Sequence, residues 1–91
     1  MKPTQQYLGN YPSPFDFFTL DNFLVWRNGR FWAILSTSNP QKLPLILKRG
    51  KRTVYLTLNP ATPFFSVVDL IVAATKGEEL PANILSQYLL N

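Results

Sequence analysis

Lys48, Arg49, Lys51 and Arg52 crowd around Gly50, and Arg27 and Arg30 flank a second turn, Asn28-Gly29. Cations grouped at turns hold anions, phosphates above all, by charge rather than by sequence. The aromatic side chains close to them, Trp26, Phe31, Trp32 and Tyr55, add surfaces on which bases stack. A plainer role competes. Lys and Arg at hairpin tips stay solvated and keep sheet edges from pairing with other chains.

Bond-making chemistry has few candidates. The chain has no His and no Cys, so it lacks the commonest general base, the commonest transition-metal ligand and any thiol. Its only acids are Asp16, Asp21, Asp69, Glu78 and Glu79. Glu78-Glu79 precedes a short helical pattern, where acids suit the helix dipole. Asp69 reads as a helix cap or as part of a polar stripe. No phosphate-cradling Gly-rich loop, nucleophile elbow or metal-ligand spacing is present. The expectation is a protein that is not an enzyme, with no catalytic residues, no cofactor, no metal and no small-molecule substrate.

The elements that must position the cations are hairpins. Asn28-Gly29 is a strong signal for a two-residue turn, which would pair Arg27 with Arg30 and Val25 with Trp32. Alternation then places Leu24, Trp26, Phe31, Ala33 and Leu35 on one face and Phe23, Val25, Trp32 and Ile34 on the other. Both sets are apolar, so both faces need cover. A second hairpin, 43–58, turns at Gly50-Lys51 and pairs Arg49 with Arg52. Its Leu43, Leu45, Leu47, Val54, Leu56 and Leu58 share one face, and a one-residue slip would scramble that set. The other face takes Pro44, Ile46, Lys48, Thr53, Tyr55 and Thr57. If the hairpins are consecutive in one meander, all six cations share one pole.

Residues 1–20 read as an arm rich in Pro and aromatics, with a helical turn beginning at Ser13-Pro14-Phe15-Asp16. The arm either packs across the sheet or docks on a partner. After Asn59-Pro60 a largely apolar helix runs to about Lys76, started by Thr62-Pro63 or by Ser66, and Gly77 stops it. It belongs on the leucine face. A last short helix carries Ile84, Leu85, Tyr88 and Leu89 as a stripe. The expected fold is α+β: a four-stranded antiparallel β-meander followed by one long and one short helix packed on one face, with the arm as 1–20 and a single domain over 21–91.

The order of strands and helix over about 22–76 is similar to the repeat unit of Whirly and PUR single-strand nucleic-acid binders. The turn Arg49-Gly50-Lys51-Arg52 shares a glycine flanked by basic residues with the Whirly strand motif. The likeness is one of fold and assigns no residue a role.

The charged fraction is 15%, well under the usual quarter, while the hydrophobic fraction is 46%. Few charges are left to cover the surface, so a partner or a second copy is expected to cover some of it. The start is polar, and the longest apolar stretch is too short for a bilayer. A soluble, cytoplasmic protein is expected. Two functions fit. One is a small interaction protein, an adaptor, accessory subunit or inhibitor, that docks on a larger protein or on itself as a homodimer. Its candidate contacts are Phe15, Phe18, Phe23, Val25, Trp32 and Ile34. The other is nucleic-acid binding through Arg27, Arg30, Lys48, Arg49, Lys51 and Arg52. What covers the second face of the first hairpin separates them: cover by the arm favours the basic pole, and an open face favours a protein interface.

Overall fold

The computed structural model describes residues 4–39 and 41–76. Six strands form one antiparallel sheet in chain order: β1 (Gln5–Gly9), β2 (Asp16–Leu20), β3 (Phe23–Asn28), β4 (Phe31–Ser36), β5 (Leu43–Arg49) and β6 (Arg52–Leu58). Among the described residues one helix, α1 (Phe64–Thr75), follows. This corrects the expected four-stranded meander with two helices. The segment expected as an arm supplies the two extra strands. The expected last helix lies outside the described residues.

Asp16–Leu20 is a strand rather than a helical turn, for a physical reason. Phe17 packs against the main core, while Phe18 is buried against Trp32 on the opposite face. That is a two-residue repeat, and aromatic residues and Thr favour it. The strand then reverses through Asp21-Asn22, because Leu20 pairs with Phe23. Asp21 takes a φ of 53°, which Asp tolerates better than most side chains. Two hydrogen bonds hold it there: Thr4 N–H donates to its carboxylate at 3.0 Å, and its own N–H donates to Thr4 O at 2.8 Å.

The first basic hairpin is also corrected in register. Asn28 pairs with Phe31 and Arg27 with Trp32, so the loop is Gly29-Arg30 rather than Asn28-Gly29. A type I′ turn would need positive φ at both central residues. Here Gly29 alone has it, at 60°, as a type II′ turn requires. Moving the loop by one residue changes each pairing by two positions and leaves every side chain on its expected face. The second hairpin has the expected register, Arg49 with Arg52 and Leu45 with Leu56, and Gly50 opens its loop at φ 57°.

Cross-strand rows on the helix face build the core. One row is Phe17, Trp26, Ala33, Leu47 and Val54, and the next is Thr19, Leu24, Leu35, Leu45 and Leu56. α1 covers them with Val67, Val68, Leu70 and Ile71, and Trp26, Leu45, Leu58 and Ile71 are fully buried. Trp26 belongs to a triangle of rings: Phe17 stacks on it at 4.8 Å, and Phe64 at the start of α1 lies tilted, 5.9 Å from Trp26 and 6.2 Å from Phe17. α1 has Pro63 at its N-cap position and no side-chain cap. The Thr62 hydroxyl is buried without a partner among the described residues, so neither expected cap forms.

Candidate functional site: the basic tips and the open sheet face

Both basic turns close at the same end of the sheet, because β3–β4 and β5–β6 are consecutive antiparallel hairpins. Two strand spacings separate the loops, about 10 Å. The six cations nonetheless differ in what they touch.

Arg27 lies on the face opposite α1. Its register partner on β2 is Asp16, whose carboxylate accepts from the guanidinium at 3.4 Å. The guanidinium also sits 5.4 Å from the ring centres of Phe18 and Trp32. Asp16 accepts a further hydrogen bond from the Tyr7 hydroxyl at 3.3 Å. Partial desolvation and the Asp16 carboxylate raise the Tyr7 phenol above its ordinary pKa, and Arg27 opposes them. Arg49 points to the helix side. It donates to the carbonyls of Ala74, at 3.2 Å, and Thr75, and stands 5.7 Å over Phe31. It thereby satisfies carbonyls that the end of a helix leaves without partners. Arg27 and Arg49 are thus engaged within the fold. Arg30, Lys48, Lys51 and Arg52 are exposed and make no side-chain hydrogen bond or ion pair among the described residues.

The face away from α1 has rows of its own. Phe18, Val25, Ile34, Ile46 and Tyr55 form one, and Asp16, Arg27, Trp32, Lys48 and Thr53 form the next. β1 and β2 extend the sheet edge and do not cross this face, and no other described element packs on it. Tyr55 is 75% and Phe23 40% exposed, while Trp32, Ile34 and Ile46 are half-buried. A shallow depression lined by Gly29, Arg30, Trp32, Ile34, Lys48 and Gly50 joins this surface to the basic tips.

The six apolar candidates divide likewise. Phe23, Trp32 and Ile34 present surface on the open face. Phe18 and Val25 lie on that face but are buried, with Arg27 and Trp32 over the Phe18 ring. Phe15 is buried in the main core, edge-on to Phe31 at 6.1 Å. Ile46, Tyr55 and Tyr7 were not among the candidates, although alternation from Gly50 puts the first two beside Ile34. Asp16 was also missed as the partner of Arg27, because its strand was read as helix. Among the described residues no group of His, Cys, Asp or Glu could hold a metal ion, and no helix is long and apolar enough to cross a membrane. Comparison with protein-family models, with curated proteins and with solved structures gives no match.

Proposed function

We propose that this chain is a small non-catalytic interaction protein that docks the open face of its sheet on a partner protein. The observation that carries this reading is the path of residues 5–20. They lengthen the sheet as β1 and β2 instead of covering Phe23, Trp32, Ile34 and Tyr55. Contiguous apolar surface rimmed by polar groups is characteristic of protein contact sites. The partner that fits has an apolar patch bordered by acids, because Arg30, Lys48 and Lys51 stand at one end of the face. Immobilised protein should retain such a partner. Trp32→Ala with Ile34→Ser should release it while the far-UV circular dichroism stays native. Equal retention by that variant would refute the docking face.

A second reading is favoured by one local arrangement. Lys48 pairs directly with Trp32 across β4 and β5, with Arg30 and Lys51 at the neighbouring tips. A single-stranded nucleic acid could stack a base on Trp32 and place phosphates against these cations. Trp32 is half-exposed and Trp26 fully buried, so quenching on titration with an oligonucleotide would report on Trp32. Fluorescence that does not change at low salt would leave only the protein-docking reading.

A further inference from the structure

The outer edge of β6 has no partner among the described residues, and its sequence repeats in reverse. Thr53-Val54-Tyr55-Leu56-Thr57 reads hydroxyl, aliphatic, aromatic, aliphatic, hydroxyl from either end. We propose that β6 pairs antiparallel with β6 of a second copy of this chain, about a twofold axis at Tyr55, joining two six-stranded sheets into one. This does not depend on what docks on the open face.

The backbone supports that axis. Arg49 and Arg52 close a two-residue loop and so form a hydrogen-bonded pair, and such pairs alternate with non-bonded ones along an antiparallel ladder. Val54 and Leu56 therefore turn their N–H and C=O groups toward β5, and Thr53, Tyr55 and Thr57 turn theirs outward. A twofold at Tyr55 sets Tyr55 opposite its copy as a hydrogen-bonded pair and Thr53 opposite Thr57 as two more. All outward groups of the segment are then satisfied. The side chains agree as well. Thr–Thr and aromatic pairs are favourable cross-strand neighbours. Val54, 41% exposed on the helix face, would meet Leu56 of the copy and extend the core of each subunit.

Charge selects the antiparallel arrangement. Arg52 would face Leu58 of the copy, so the two Arg52 residues lie six residues apart along the strands, roughly 20 Å. That is about two screening lengths at 0.1 M salt. Parallel pairing would bring both basic tips together. The opposite edge of the sheet is a poorer site, because β1 has five residues and a register break between Tyr7 and Gly9, a feature that discourages edge pairing. β6 has neither Pro nor a bulge, and its one charge is at its first residue. A single strand pair is small beside a standard interface, so the association is reversible and concentration-dependent.

The absence of cysteine makes cross-linking a direct test of register. Residues in a hydrogen-bonded antiparallel pair have Cα atoms about 5.5 Å apart, within disulfide reach. Tyr55→Cys should form covalent dimers on mild oxidation, while Val54→Cys, two positions out of register with its own copy, should not. Sedimentation velocity of the full chain should show a dimer that dissociates on dilution. Tyr55→Pro should abolish it with native circular dichroism, because the N–H it removes points away from β5. Thr53→Lys with Thr57→Lys should also be monomeric. Mixing that variant with Thr53→Glu/Thr57→Glu should restore the dimer. A wild-type chain that stays monomeric at every concentration would overturn the proposal, even if the edge captured an extended peptide from another protein. A dimer that survives both sets of substitutions, or that cross-links equally through either cysteine, would do so too.

Discussion

Arg49 and Lys51 are neighbours across Gly50, yet they do different work. Arg49 is tied to the last carbonyls of α1 and covers Phe31, whereas Lys51 ends in solvent. Arg49→Ala should destabilise the fold by about 1–2 kcal/mol, the scale of a lost charge-assisted hydrogen bond. Joint reversal of Lys48, Lys51 and Arg52 to Glu should leave the denaturation midpoint nearly unchanged. A chemical-denaturation series distinguishes them, and equal midpoints would mean that Arg49 does not hold the helix. Gly50 can be tested in the same series. A Cβ there would meet open space, so Gly50→Val reads the backbone alone and should cost more than about 1 kcal/mol through its positive φ. Sequence spacing marked the cations as a group. It could not separate Arg49 from Lys51, since the separation depends on where a helix 25 residues later ends.

At the scale of elements, the two glycine hairpins were legible and the Asp21 hairpin was not. Gly29 and Gly50 announce positive φ by residue type, whereas Asp21, at 53°, is held by hydrogen bonds to Thr4, 17 positions earlier. Ser13-Pro14 ahead of Phe15-Asp16 imitates a helix start, and tertiary pairing with β3 overrides that local signal. The loop error in the first basic hairpin did no damage to the faces, because it moved the pairing by an even number of positions. The helical reading of Asp16–Leu20, not the loop, hides Asp16 as the partner of Arg27. Two outcomes follow for β1 and β2. Asp21→Ala should speed amide hydrogen exchange in β1 while β4 and β5 keep their protection, because the hydrogen bond it removes anchors only the start of the chain to the sheet. Uniform acceleration would instead make the Asp21 turn part of the global unfolding unit. Tyr7 gives a pH dependence. Its phenol has a raised pKa in the fold, so the neutral form is preferred there. The stabilisation is complete below the ordinary phenol pKa near 10 and is lost as pH rises through the folded value. Tyr7→Phe should flatten the alkaline end of a stability–pH profile, and an unchanged profile would show that the phenol does not couple to folding.

For the whole molecule, low charge content and two apolar hairpin faces imply an uncovered surface, and the sheet topology places it: one face under α1, the other open. How many cations remain for a partner follows from the same arrangement. Counted from sequence, six basic residues share the pole. In the fold Asp16 neutralises Arg27 and the helix terminus holds Arg49, which leaves four. Each phosphate contact to a single strand contributes about 0.7 to the slope of log affinity against log salt concentration. Four cations therefore give a slope of roughly 3, and six give about 4. If an oligonucleotide binds, a slope near 3 that falls by about 0.7 in Lys48→Gln and is unmoved in Arg27→Gln fits the pole as it is folded. A slope of about 3.5 that drops in Arg27→Gln would require the Asp16–Arg27 pair to open on binding. Such an opening would uncover Phe18, which the same guanidinium covers, so binding would be coupled to a change in the open face. Protein docking on that face and anion capture at the tips would then compete for one surface.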